Sequence, residues 1–263
     1  MLFYRMLKTM KKSLLTIIFC SIVMTGFTQS FYWEKIKNTP SEKTSILNNF
    51  DKNKYQLFSL NLDNFKILLA DVPSRKNIGT NPMVVINFPD KKGNMEQFQV
   101  TETSTLAPEI AIKYPNIKTY IGFSLDNPGG RIRFSVTPQG LKTMSTYPNK
   151  PALFTVPLNK GDESLYITYD RSMRIDSKKD FECLTPLQSN RSSTNQSITG
   201  RDANDQILRT FRLAVSTTSE YTRFYDDGND SNGDAKADAL AQVVSTVNRM
   251  NEVLDVTMTK HFK

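Results

Sequence analysis

The chain has 263 residues, of which 38% are hydrophobic and 23% charged, with a formal net charge of +8. That length admits one large or two modest domains, and the composition excludes wholesale disorder. The charge does not mark a nucleic-acid binder. Four of the basic residues (Arg5, Lys8, Lys11 and Lys12) sit in the first 28 positions, which carry no acidic residue. Without them +8 falls to +4, and no dense Lys/Arg patch interleaved with aromatics remains.

Those 28 residues read as an export signal. A basic stretch is followed by an apolar run, Leu14 to Val23, broken only by Thr16, Cys20 and Ser21. Gly26 and Thr28 then give a small-x-small cleavage site. The run is shorter than the roughly 20 residues a membrane span needs, so no permanent span is expected. The destination is outside the cytoplasm: medium, periplasm or cell surface. Cys20 leaves with the signal, so Cys183 is the single cysteine of the exported chain. An odd thiol in an exported protein calls for a partner, a metal or burial.

Residues 29–55 are polar with scattered aromatics, and Pro40 to Thr44 suits the start of a short helix. Tyr55–Leu62 has strand character, after which Asp63 can cap a helix over 64–69. Met83–Phe88 and Met95–Val100 form a hairpin around Pro89–Asn94. Ser104–Tyr114 is a short helix. Lys118–Phe123, Arg131–Val136, Leu141–Ser145 and Leu165–Tyr169 are further strands, separated by Asn127–Gly130 and Pro138–Gly140 turns. The pattern predicts a β-rich unit, a curved sheet or small sandwich, within a domain spanning 29–188.

Residues 189–209 are filled with Ser, Asn, Thr, Gln, Arg and Asp, which cannot offset the entropy of ordering. A mobile linker is expected, open to a protease at Arg191, Arg201 or Arg209. Phe211–Val215 reads as a strand, Thr217 or Thr218 as the cap of a helix to Tyr225, Ala235–Leu254 as a helix, and Asp255–Thr259 as another strand. A β-α-β order predicts the start of an α/β domain over 210–263, and α+β overall.

The motifs of catalysis are missing. No His-Glu-x-x-His occurs, and His261 is the single histidine, whereas a catalytic zinc takes about three protein ligands. No glycine-rich phosphate loop is present. Asp230-Ser-Asn-Gly-Asp234 with Asp238 resembles a calcium loop, but Ala235 replaces the turn glycine and Ala241 the bidentate glutamate. The better reading is an acidic turn that caps the following helix.

Several strings then suggest a family. Leu106-Ala-Pro-Glu-Ile-Ala-Ile-Lys-Tyr-Pro-Asn-Ile-Lys-Thr-Tyr-Ile-Gly122, Asp126-Asn-Pro128, Arg131-Ile-Arg133 and Thr137-Pro-Gln-Gly140 resemble the propeptide of secreted bacterial reprolysin-like zinc metalloproteases, a metzincin branch. Phe211–Val215, Glu220-Tyr221 and Asn248-Arg-Met-Asn-Glu252 are similar to the first strand and helix of that family's catalytic domain. The resemblance implies an inhibitory and folding-assisting propeptide, a truncated catalytic domain start, and no peptidase activity from this chain by itself. It implies a zinc cofactor in the intact relative and none in this chain alone. The implied partners are the catalytic domain of the intact protein or a related protease, and an activating protease at the linker. It also gives Cys183, in Asp180-Phe-Glu-Cys-Leu184, the role of a zinc ligand that silences the enzyme, since zinc takes a thiolate readily. The rival reading is an exported β-rich binding or adhesion module.

Overall fold

The computed structural model describes residues 32–37, 47, 50, 55–75, 83–173 and 212–260. Its framework is one antiparallel sheet of nine strands. They are β1 (Trp33–Ile36), β2 (Gln56–Leu60), β3 (Val84–Pro89), β4 (Met95–Glu102), β5 (Lys118–Ser124), β6 (Arg131–Thr137), β7 (Gly140–Tyr147), β8 (Lys150–Pro157) and β9 (Leu165–Asp170). The spatial order is β1-β2-β9-β8-β7-β6-β5-β4-β3. Strands β3 to β9 form an uninterrupted meander, each pairing with the next, and β1–β2 adds to its far edge beside β9. Four helices join them: α1 (Leu62–Ala70), α2 (Pro108–Lys113), α3 (Ser219–Tyr225) and α4 (Ala235–Lys260). The protein is mixed α and β, dominated by the sheet.

Alternation along the strands decides which face each residue takes. In β6, Ile132, Phe134 and Val136 face one side. Register pairs Phe134 with Tyr120 on β5, and the two rings stack at 4.7 Å. On this face α1 fills the hollow of the curved sheet. Asn61 caps it, its side chain accepting the Asn64 N–H at 3.0 Å. The cap is thus two residues earlier than Asp63, the one the sequence suggests. Phe65 is fully buried and meets Tyr32, Phe88 and Phe134.

The curl brings the two sheet edges together. The Tyr32 hydroxyl accepts the Asn87 N–H at 2.7 Å, and Trp33 Nε1 donates to the Asn87 carbonyl at 3.1 Å. At Asn87 the backbone of edge strand β3 is thereby occupied by side chains from the opposite edge, which blunts it as a template for aggregation. Lys91, in the β3–β4 turn, adds an ion pair to buried Asp170 at the end of β9.

Two sequence expectations fail beyond the sheet. Residues 212–218 form no strand, and Asp255–Thr259 continues α4 rather than starting one. Thr218 does cap α3, its hydroxyl accepting the Tyr221 N–H. Cys183, the 189–209 segment, Pro40 to Thr44 and His261 lie outside the described residues.

Candidate functional site

The second face of β5–β7 is polar, and α4 lies across it. Register fixes the polar residues: Arg131, Arg133 and Ser135 of β6 alternate with the apolar ones, and Lys142 and Thr146 of β7 stand opposite Ser135 and Arg131. On α4, Ala241, Ser245, Asn248, Glu252 and Asp255 recur at intervals of four and three, which places them in one stripe.

The two rows interlock. Arg133 Nε donates to Glu252 Oε2 at 3.1 Å, its Nη1 to Asn248 Oδ1 at 3.3 Å, and its Nη2 to Asp255. Arg131 Nε lies 3.0 Å from Glu252 Oε1, an ion pair without hydrogen-bond geometry, and its Nη2 donates to Asp255 at 3.2 Å. Thr146 donates to Glu252 Oε1 at 2.7 Å. Asn248 Nδ2 donates to the Phe134 carbonyl at 2.9 Å, Ser135 and Ser245 share a hydrogen bond of 2.7 Å, and Lys142 donates to Gln242. The Glu252 side chain is 0% exposed and that of Arg133 5%. Two arginines facing two carboxylates, with further donors on the remaining lone pairs, meet the condition for a tolerable buried ion set.

Apolar contact between α4 and the sheet is small. Ile117, Ala241 and Val244 form a cluster of their own, edged by Leu106, Tyr114 and Leu240, separate from the large core around Phe65. The far end of this contact is also polar. Gln139, in the β6–β7 turn, donates to the Tyr225 carbonyl at 2.7 Å, and Lys160, in the β8–β9 turn, to the Phe224 carbonyl at 2.7 Å. These side chains occupy carbonyls at the C-terminus of α3, where a cation also suits the helix dipole.

Lys142 titrates low, at about 8, because burial penalises its charge and Arg249 repels it, while Asp238 acts the other way. Asp238 is 1% exposed and its carboxyl is raised, first by burial and then by the charges of Asp227 and Asp226. Asp238 Oδ2 accepts the Asp227 N–H at 2.9 Å; its Oδ1 has no hydrogen-bond partner. Asp234 Oδ1 accepts the Ala237 N–H at 2.9 Å, so the acidic turn does cap the helix.

Asp226, Asp227 and Asp238 are the one group among the described residues with ligand atoms close enough to share an ion. They offer oxygen alone, whereas zinc sites are built mainly on nitrogen and sulfur. Neither cysteine nor the single histidine falls within the described residues. The three carboxylates therefore do not fit a zinc centre. No described helix is long and apolar enough to cross a membrane.

Sequence reasoning did not find this arrangement. Arg131 and Arg133 were visible as charges on a strand, but nothing local announces that a helix more than 100 residues later covers them. No protein-family model, curated protein or solved structure matches the chain.

Proposed function

We propose that residues 29–188 are the pro-region of an exported zinc metalloendopeptidase and that 210–263 begin its catalytic domain. The observation that carries this reading is a meeting in space. Arg131-Ile-Arg133 resembles the propeptide side of the family, and Asn248-Arg-Met-Asn-Glu252 the catalytic side. In the fold the Arg133 guanidinium bonds both Asn248 and Glu252. The Leu106–Gly122 string contributes Leu106, Tyr114 and Ile117 to the same contact, and Thr137–Gly140 contributes Gln139. Four of the strings that carry the resemblance thus meet at this face, whereas Asp126-Asn-Pro128 lies apart, with Asp126 and Asn127 bonded to Gln97 and Glu96.

A second observation points the same way. Leu213 and Val215, and Met250, Val253 and Leu254 on α4, are large apolar side chains left more than half exposed. A larger α/β domain would cover such groups. In this reading the sheet holds the first helix of the catalytic domain in place. Cys183 silences the zinc, and the 189–209 segment is cut on activation.

The test is to sequence the transcript through and past codon 263. The reading expects a His-Glu-x-x-His with a third histidine soon after it, in frame or in a shifted frame. A transcript that encodes no such triplet in any frame removes the reading.

A further inference from the structure

The contact between α4 and the sheet differs in kind from the core beneath the sheet. Beneath it, Phe65, Phe88, Phe98 and Phe134 pack ring against ring, with Ile132 and Tyr166 in the same core. Above it, the apolar side chains that α4 buries among those described, up to Asp255, are Ala237, Ala239, Ala241 and Val244, three of them alanines. Its buried polar side chains are Asp238, Gln242, Ser245, Asn248 and Glu252. A core grown as one piece is dominated by large apolar groups. A face whose buried part is polar and charge-paired resembles a contact between two bodies that form and part.

We propose that the α4-facing side of β5–β7 is a clasp that grips residues 212–260 as a separable body. The two parts stay together after the connecting segment 174–211 is cut. They let go when the charge set of Arg131 and Arg133 with Glu252 and Asp255 is broken. Three features support it. The large core closes on α1 without any contribution from α3 or α4. The clasp residues contact one another in pairs across the interface, so each body supplies half of the set. The interface also has contacts at both ends, Arg131 and Arg133 near the C-terminal half of α4 and Gln139 and Lys160 at the end of α3. Its meaning for activation rests on the reading in the preceding subsection: cutting the linker would not by itself free the enzyme, and a Cys183 latch would not be the only restraint. Its physical content, that two bodies are held by charge, does not depend on that reading.

The experiment uses the full chain with a sequence-specific protease site placed in 174–211. After cleavage, size-exclusion chromatography and a dilution series report whether the parts co-elute and how tightly. Trp33, the single tryptophan, lies in the sheet body against Phe58 and Tyr166, so its fluorescence reports whether that body stays folded. The clasp predicts co-elution of the cleaved wild type at low micromolar concentration. It predicts an affinity loss of about tenfold or more in Glu252→Gln, with Trp33 emission unchanged. Met250→Ala, at an exposed position on α4, leaves the affinity as it was. Wild-type parts that separate on cleavage overturn the proposal, and so does a Glu252→Gln pair as tight as wild type. Loss of the folded Trp33 signal on separation overturns it too, since the two parts would then be one core. None of these results touches the transcript test, so a failed clasp and a failed protease reading remain distinguishable.

Discussion

Arg133, in the middle of β6, and Glu252, in the fifth turn of the long helix, meet at 3.1 Å with side chains 5% and 0% exposed. They are 119 positions apart in the chain. Charges this deep persist because each leaves the other satisfied. Removing one leaves the other buried and short of a partner, which costs more than the pair itself contributes. Arg133→Met is therefore expected to destabilise by about 3 kcal/mol in urea unfolding, softened by the Arg131 and Thr146 contacts that Glu252 keeps. Arg133→Met with Glu252→Met should cost clearly less than the two single changes added together. Additive losses would show that the pair is not coupled.

Lys142 provides a pH signature of the same face. Its folded value of about 8 lies below the roughly 10.4 of an unfolded lysine. Between those values the unfolded chain holds a proton that the folded one has shed, so stability contributed by this site rises with pH from about 8 to about 10.4. The wild type should gain on the order of 3 kcal/mol relative to Lys142→Met across that window. NMR of the lysine Cε resonances should show one lysine titrating near 8, and lower still in Asp238→Asn, which removes an attractive charge.

Asp238 titrates in the opposite sense. A carboxyl raised in the folded state leaves the unfolded chain with fewer protons above about 3.9, so its contribution to stability is lost as pH rises from there. Asp238→Asn should therefore raise stability at pH 7. The amide can still accept the Asp227 N–H, and it brings donors to the neighbouring carboxylates. Below about pH 3, where the carboxyl is neutral in both states, the two proteins should unfold alike. A loss of stability at pH 7 would show that the ionised carboxylate is needed.

The closure of the sheet can be checked at its edges. Tyr32→Phe removes the hydroxyl that accepts the Asn87 N–H and leaves that group without it on a half-buried edge, at a cost of about 1 kcal/mol. Because Trp33 bonds the same residue's carbonyl, its emission should shift in the folded variant. Phe65→Ala, in the hollow, should cost more, about 3–5 kcal/mol, by opening a cavity among Tyr32, Phe88 and Phe134.

Much of the sheet could be read from residue pattern. Strands β3 to β7 and β9 show their alternation or their β-branched runs, and the turns between them carry Gly and Pro. Gly140, at φ +91° beside the Tyr166 hydroxyl, is one such turn that needs glycine. Strand β8 was not legible because Pro151 and Pro157 bracket it, and proline argues against an interior strand. Both prove tolerable near its two ends, between β7 and β9. Strand β1 is short, half charged and an edge, with little pattern to find. The strand expected at Asp255–Thr259 rested on Val256, Thr257 and Thr259. The helix persists there, and Asp255 completes the stripe facing Arg131 and Arg133. The polar face of β6 was visible as alternation. What covers it was not, because the spacing of charges on a helix does not say which strand they will meet.

In the proposed function the sheet restrains a metalloendopeptidase. The most direct measurement is inhibition in trans: a secreted reprolysin-like zinc endopeptidase, assayed on a fluorogenic peptide, titrated with residues 29–188 of the exported chain, in which Arg131 and Arg133 are no longer taken up by the chain's own α4. The account predicts inhibition that saturates near one chain per enzyme, weakened in Arg133→Glu by loss of the grip on the helix and in Cys183→Ser by loss of the thiolate. Unchanged peptide hydrolysis in the presence of a large excess of folded chain would contradict it.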